Sequence, residues 1–173
     1  QLGPIGATFR PCVELFPTDT LVEGDFYINN DPFQGGQHLQ DVFLFSPIFF
    51  QGVLVGFGAT VAHHLDLGGG AAGLNPDASD VHQEGIIFPP SKYNMNHDWH
   101  GGPLERLIRA NIRVPDQTIG DFNAQFAANG IGGRRVQDLC ARFGADVMQE
   151  AMDELLDYSE RRMRAAIREF PDG

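Results

Sequence analysis

Four residues whose side chains can bind a divalent metal ion stand in the first half of the chain. His38 and Asp41 are separated by two residues, and His63 and His64 follow farther along. Two imidazoles and a carboxylate suit an ion such as zinc or manganese and leave coordination positions for water or substrate. A single histidine near a strand end is more often an ordinary surface or core residue, and this spacing is less diagnostic than paired CxxC motifs. The four residues predict a metal site only if the fold brings them together.

Two apolar runs between these residues predict how they converge. Val42–Phe50 and Val53–Ala62 are separated only by Gln51-Gly52, and a two-residue gap containing glycine between such runs is typical of a β-hairpin. The outer ends of an antiparallel hairpin lie side by side. We therefore expect His38 and Asp41, which precede the first run, to meet the histidines that follow the second.

Strand geometry limits which of these side chains can share one ion. Adjacent residues of a strand point to opposite faces, so only one of His63 and His64 can be a direct ligand. Residues three apart in an extended chain also point to opposite sides. His38 and Asp41 can therefore face one ion only if the chain bends at Leu39-Gln40, and the glycine pair before His38 favours such a bend.

The glycine-rich segment after His64 contains further candidates. Glu84 is a candidate acid–base carboxylate, and an ordinary loop carboxylate is the alternative. The consecutive glycines Gly68–Gly70 either allow a ligand to approach the backbone or simply connect elements. No lysine follows Gly35-Gly36, and neither a GxGxxG nor a P-loop pattern occurs in the sequence. The chain therefore has no recognisable nucleotide-binding motif.

Several longer motifs carry a family resemblance. The segments GDFYINNDPFQGGQHLQDV, GFGATVAHHLDLGG and HQEGIIFPP resemble the hydantoinase B family. That family includes the B subunits of ATP-dependent N-methylhydantoinases, the C-terminal part of 5-oxoprolinases, and the metal-bearing subunits of acetone and acetophenone carboxylases. The resemblance continues through IRANIRVPDQTIGDFNAQFAANGIGGRRV and AMDELLDYSERRMRAAI, so it covers nearly the whole chain.

The resemblance implies a set of site residues and a partner. The His and Asp of GGxHLxD and the first His of AHH hold the metal in the family, which here implies His38, Asp41 and His63 as ligands. We take His64 and Glu84 as candidate catalytic groups, with His64 beside the ligands or facing the substrate. The family also implies a divalent cofactor, manganese or zinc, and a separate hydantoinase A-type subunit that uses ATP.

Three functions remain open from the sequence. The first is ATP-dependent hydrolysis of a cyclic amide, in which the A-type subunit phosphorylates the substrate and the metal site directs water onto it. The second is ATP-dependent carboxylation of a ketone, in which the metal stabilises an enolate; both reactions develop charge on an oxygen. The third is a non-catalytic module, which purified protein without bound metal would indicate.

Composition narrows the classes of partner and compartment. The net charge of −11 argues against nucleic acid and anionic membranes as partners. Cys12 and Cys140 lack CxxC spacing and predict buried, reduced thiols in a cytoplasmic protein. No signal peptide and no apolar run of membrane-spanning length is present. Because family B subunits are several hundred residues long and no initiating Met is present, we expect this chain to be one piece of a larger protein.

The order of elements predicts an α+β fold in a single domain, with a β-rich metal-binding part over residues 1–91 and a helical part over residues 103–170. The β-rich part is predicted to contain a helix over residues 4–16 that Pro11 interrupts or kinks, the strand Phe26–Asn29, the hairpin, and the short strand Ile86–Phe88. The polar segment Tyr93–Gly102 is predicted to be a loop.

Three helices are predicted in the second half. The first begins near Pro103, and the second extends from about Thr118 to a stop at Gly144, weakened by the glycines at 130, 132 and 133. The third follows Asp146 and carries an apolar stripe that we predict to be core. The stripe consists of Met148, Met152, Leu155, Ser159, Met163, Ala166 and Phe170. Its opposite face is charged and predicts a solvated surface or a contact with a partner subunit.

Overall fold

A four-stranded antiparallel sheet occupies the N-terminal half, and most of the helical residues follow it, which confirms the predicted α+β class. The structure is a computed structural model and describes residues 3–171. The strands are β1 (Asp25–Asn29), β2 (Asp41–Phe50), β3 (Val53–His63) and β4 (Ser91–Asn94). The helices are α1 (Ile5–Leu15), α2 (Met95–Asp98), α3 (Pro103–Asn111), α4 (Pro115–Phe143) and α5 (Ala145–Ile167), with 3₁₀ turns at Thr18–Thr20, Pro32–Gln34 and Val81–Gln83. The strand order is β3-β2-β1-β4.

The predicted hairpin is confirmed. β2 and β3 pair from Asp41 opposite His63 at the open end to Phe50 opposite Val53 at the turn. The turn residues Gln51-Gly52 have φ values of 52° and 80°. Left-handed values at both central residues give a turn whose twist matches that of the flanking strands. The pairing shifts by one residue between Ile48 and Phe49, where Val55 of β3 has no partner on β2. The register that places Asp41 opposite His63 therefore depends on both the two-residue turn and this shift.

The sheet is covered on both faces. Alternate residues of β1 and β2 point to opposite sides, so Ile28 and Leu44 pack toward α3 and α4, while Tyr27 and Phe43 pack toward α1. All five residues of β1 are buried for this reason. The two buried layers hold β2 rigidly between them, and β2 begins at Asp41.

Two expectations for residues 86–102 are wrong. Ile86–Phe88 is not a strand, because its backbone bonds to Asn30 and to Leu67 rather than forming a ladder with a neighbouring strand. The predicted loop Tyr93–Gly102 instead begins in β4, which completes the sheet beside β1, and continues into α2. Trp99 is buried and donates from Nε1 to Oδ1 of Asn123 at 2.9 Å, so this segment belongs to the core.

The helices tolerate residues that the sequence marks as interruptions. α1 runs through Pro11, and α4 is one helix through its glycine cluster, where Gly133 faces Ile48 of β2. α4 ends at Phe143, and Gly144, whose φ is 93°, caps it, which confirms the predicted stop. Cys12 and Cys140 are buried and form no disulfide, as predicted. Within residues 3–171, no helix combines the length and apolar character that crossing a bilayer requires.

The predicted core role of the α5 stripe is wrong for this chain. No described residue of α5 is buried, and Leu155, Met163 and Phe170 are 63%, 62% and 74% exposed. Periodicity identified the apolar face of the helix correctly, but periodicity carries no information about what covers that face. The opposite, charged face is solvated as predicted, and Arg164 pairs there with Glu160 within the helix.

Candidate metal centre

His38, Asp41 and His63 converge at the open end of the β2–β3 hairpin. Asp41 begins β2, His63 ends β3, and the two lie directly opposite each other in the register. Nε2 of His38 lies 3.5 Å from Oδ2 of Asp41, and Nδ1 of His63 lies 3.2 Å from Oδ1 of Asp41. One candidate ligand atom from each residue lies within 4.8 Å of the other two. The hairpin thus produces the convergence that the sequence predicts.

A tight turn places His38 and Asp41 on the same side. The N–H of Asp41 donates to the carbonyl of His38 at 3.1 Å, which closes a turn around Leu39-Gln40. This is the bend that two ligands three residues apart require. The expectation of a bent segment before β2 is therefore confirmed.

The buried side chain of Asn30 holds this turn in place. The sequence analysis did not identify this residue. Its Nδ2 donates to the carbonyls of Leu39 at 2.7 Å and Ile86 at 2.9 Å, and its Oδ1 accepts from the N–H of Phe88 at 2.6 Å. Asn30 is fully buried. The side-chain amide of an asparagine has both a donor and an acceptor, so it can bond to the backbone of two chain segments at once. The only sequence signal was its place in an Asn-Asn-Asp run, which is typical of turns.

The distances and donor set fit a divalent ion. Nitrogen and oxygen ligands about 2.0–2.2 Å from a tetrahedral ion lie about 3.4 Å from one another. His38 and His63 lie 3.5 Å and 3.2 Å from different oxygens of the Asp41 carboxylate. The Asp41 carboxylate is 1% exposed, whereas the His38 and His63 side chains are 34% and 40% exposed. The carboxylate therefore forms the floor of the site. The two rings, 5.1 Å apart and nearly perpendicular, border its open side.

His64 points away from this group into the core. It is fully buried, its ring stacks on Phe122 at 4.2 Å, and its Nε2 lies 2.9 Å from Oε1 of Gln125. Burial lowers the pKa of His64 below its ordinary value, which the bond to Gln125 only partly offsets. The expectation that only one of the adjacent histidines faces the ion agrees with this arrangement. The catalytic role assigned to His64 stays a prediction, and its burial favours a supporting role rather than contact with substrate.

Glu84 lies in a loop that Gln40 joins to the turn at Leu39-Gln40. Nε2 of Gln40 donates to the carbonyls of Glu84 and Gly73, both at 3.2 Å. The carbonyl of Gln40 accepts from the N–H of His64 at 2.8 Å. The structure therefore brings the half-buried Glu84 into the same hydrogen-bonded segment as the site. An acid–base role for its side chain stays a prediction.

Asp66 anchors the loop that follows β3 to the helical half. It is fully buried, and it accepts bonds from the N–H of Gly68 at 2.9 Å, from the N–H of Arg113, and from Nη1 of Arg113 at 2.9 Å. Burial by itself would raise the pKa of Asp66, but the bonds from Arg113 and Gly68 outweigh it and lower the pKa below its usual value. Asp66 is therefore a structural anion rather than a free ligand for the metal.

Comparison with known proteins agrees with this geometry. Residues 1–173 match the hydantoinase B/oxoprolinase family. The chain is 36% identical to caprolactamase subunit beta of Pseudomonas jessenii over 94% of this chain and 28% of that protein. It is 27% identical to the acetophenone carboxylase delta subunit of Aromatoleum aromaticum (strain DSM 19018 / LMG 30748 / EbN1) over 90% of this chain and 23% of that protein.

A solved structure has the same fold. The crystal structure of ATP-dependent caprolactamase from Pseudomonas jessenii has a TM-score of 0.81 and 34% identity over 98% of this chain and 30% of that chain. This chain thus spans less than a third of the length of these relatives. Because the family match covers every residue, the chain belongs to the hydantoinase B/oxoprolinase family.

Proposed function

We propose that this chain carries the metal site of the B-type component of an ATP-dependent cyclic amide hydrolase. The observation that carries the proposal is the convergence of His38, Asp41 and His63 at the end of the hairpin. These are the positions at which the family resemblance implies metal ligands. We propose manganese or zinc as the ion, because two imidazoles and one carboxylate suit either.

The residues of the site have separable tasks in this proposal. His38, Asp41 and His63 would hold a divalent ion, which when bound would polarise a carbonyl oxygen and lower the pKa of water toward about 7. The buried Asp41 supplies negative charge at the floor, and the imidazoles of His38 and His63 leave the outer side open to substrate. Glu84, held near the site through Gln40, is the candidate to move a proton at the substrate. His64 supports His63 from the buried side.

ATP use belongs to a partner in this proposal. The sequence contains neither a GxGxxG nor a P-loop pattern, while a similar solved protein is named an ATP-dependent caprolactamase. We propose that a hydantoinase A-type component phosphorylates the substrate oxygen and that the B-type site then directs water onto the activated amide carbon. The isolated chain is expected to turn over neither ATP nor a cyclic amide.

Ketone carboxylation is the second candidate function. The acetophenone carboxylase delta subunit is a relative at 27% identity, and a metal site of this kind can also stabilise an enolate oxygen. The caprolactamase subunit is more similar at 36%, which favours the cyclic amide. A non-catalytic module is the third reading, and metal analysis separates it from both.

Metal content tests the site. The wild-type chain, His38→Ala and His82→Ala would be loaded with Mn²⁺ or Zn²⁺, desalted and measured by mass spectrometry of the metal. His82 is an exposed histidine outside the group and serves as the matched control. We expect about one ion in the wild type and in His82→Ala, and much less in His38→Ala. Equal metal content in all three proteins would contradict the assignment of His38 as a ligand.

Reconstitution tests the reaction. The purified chain and an A-type component would be incubated with ATP and either hydantoin, 5-oxoproline, caprolactam, or a ketone with bicarbonate. Release of phosphate together with opening of a cyclic amide supports the hydrolase. Carboxylation of the ketone instead would move the assignment to the second candidate. Turnover of ATP by the chain alone would contradict the proposed division of labour.

A further inference from the structure

We infer that Gln125, on α4, is a positioning residue for the metal site, an inference that rests on the metal-binding function proposed above. Gln125 is not one of the three candidate ligands. It bonds to Val42, which follows Asp41 on β2, and to His64, which follows His63 at the end of β3. One side-chain amide thus spans the two strand ends that must stay in register for the ligands to meet.

Both functional groups of the amide are used. Oε1 of Gln125 accepts from Nε2 of His64 at 2.9 Å, and Nε2 of Gln125 donates to the carbonyl of Val42 at 3.0 Å. Gln125 is 5% exposed, and His64 and Val42 are fully buried. Bonds at this depth are protected from competition with water, so they fix geometry more firmly than exposed bonds do.

The His64 ring is held on two sides by one helix. Phe122, three residues before Gln125 on α4, stacks on the ring face at 4.2 Å, while Gln125 bonds to its edge. Residues three apart on a helix share one side, so a single surface of α4 supplies both contacts. Because His64 adjoins His63, holding the buried ring in place also restrains the backbone from which His63 reaches Asp41.

The sequence contains a signal for this residue that is visible only after the helix is known. Gln125 and Asn129 lie on the buried face of α4 with Phe122, where apolar residues are expected. Asn129, one turn farther on, donates to the carbonyl of Leu44 at 3.3 Å and to Oγ of Ser46 at 3.2 Å. Both amides join α4 to β2, but only that of Gln125 reaches the strand ends at the metal site. Asn129 therefore provides a matched control.

The test compares metal affinity with fold stability. The dissociation constant for Mn²⁺ and for Zn²⁺ would be measured by calorimetry for wild type, Gln125→Met and Asn129→Leu, alongside the melting temperature of each protein without metal. Both substitutions keep approximate side-chain size and remove buried hydrogen bonds, so both lower the melting temperature. Only Gln125→Met is expected to weaken metal binding, by roughly tenfold, as for other residues that support metal ligands without touching the ion.

The outcomes separate this inference from the proposed function. Failure of the wild type to bind metal overturns both. Tight binding by the wild type with unchanged affinity in Gln125→Met, or equal weakening in Asn129→Leu, overturns only the positioning role. If Gln125→Met does not fold, Gln125→Asn takes its place, because its shorter side chain cannot reach both partners and the same loss of affinity is expected.

Discussion

Asp41 and His63 face each other at the last registered pair of β2 and β3, with Oδ1 of Asp41 3.2 Å from Nδ1 of His63. A slip of one residue in the pairing would exchange His63 for His64 and turn the wrong imidazole toward the carboxylate. The site therefore depends on the register set by the turn at Gln51-Gly52 together with the one-residue shift between Ile48 and Phe49.

Replacing Asp41 with asparagine tests the anionic ligand. Asp41→Asn keeps the size of the side chain and removes its charge, so it should weaken binding of Mn²⁺ or Zn²⁺ by at least about tenfold. Because the fold packs around the same volume, the circular dichroism spectrum should be unchanged. Activity of the reconstituted complex should fall with the metal content.

Two loop acids are the controls for this prediction. Asp77→Asn and Asp80→Asn remove the same charge from exposed positions and should change metal affinity by less than about twofold. Wild-type metal content in Asp41→Asn would contradict the assignment. The anionic ligand would then have to be sought at Glu84, because Asp66 already binds Arg113 and Gly68.

The hairpin and the convergence of its outer ends could be predicted because they depend on local signals. Two apolar runs, one glycine-containing turn and the antiparallel rule predict that His38 and Asp41 meet the histidines after the second run, and the family resemblance selects His63 rather than His64 as the candidate ligand. The bend at Leu39-Gln40 followed from the same reasoning, since ligands three residues apart require it.

The supporting residues could not be predicted, because their partners are distant in sequence. Asn30 contacts segments near residues 39 and 87, and Gln125 contacts Val42 and His64 from α4. The prediction that the α5 stripe lies in the core was wrong for a related reason. Its spacing describes one face of a helix but not what packs against that face. β4 was missed because its four residues are too polar to form a recognisable apolar run.

Removing the Asn30 side chain should destabilise the protein. Asn30→Ala deletes bonds to Leu39, Ile86 and Phe88 and leaves their buried backbone groups without this partner, which should cost about 2–4 kcal/mol. The measurement is urea unfolding of the metal-free protein. Asn75→Ala removes an exposed turn bond and should cost no more than about 0.5 kcal/mol. Equal stability of the two variants would contradict the role of Asn30 in joining these segments.

Asp66 should make stability fall in acid. Its folded pKa lies below its ordinary value of 3.8. Its contribution is therefore complete above pH 3.8 and is lost as the pH falls from there through the folded pKa. At neutral pH, Asp66→Asn should cost about 2 kcal/mol, because bonds to a charged acceptor are replaced by weaker ones.

The free energy of unfolding in urea should differ less between wild type and Asp66→Asn as the pH is lowered from about 5 to about 3. Asp116→Asn is the control, because Asp116 is 96% exposed and pairs with Arg109 on the surface. Such a pair contributes at most about 1 kcal/mol. If the difference in the free energy of unfolding between wild type and Asp66→Asn stays constant with pH, Asp66 does not stabilise the fold as a buried anion.

The substitution Gly36→Ala tests how closely the chain is packed at the turn that precedes β2. A Cβ at Gly36 would lie 2.8 Å from the carbonyl oxygen of Asn30 and 2.9 Å from that of Asp31. Both are backbone atoms of the segment that holds the turn, so neither can move aside without displacing it. Gly36→Ala should therefore cost about 1–3 kcal/mol, and it should weaken metal binding, because His38 follows two residues later.

Gly56 offers the same substitution with the opposite expected sign. No atom would lie within 4 Å of a Cβ at Gly56, which lies in β3 and does not have a left-handed φ. Gly56→Ala should stabilise the protein by about 0.4–1 kcal/mol, since alanine has less freedom to lose on folding, and should leave metal affinity unchanged. Urea unfolding and calorimetry of both variants measure the two effects. If Gly36→Ala matches Gly56→Ala in stability and in metal affinity, the turn tolerates a side chain there, and its packing does not set the position of His38.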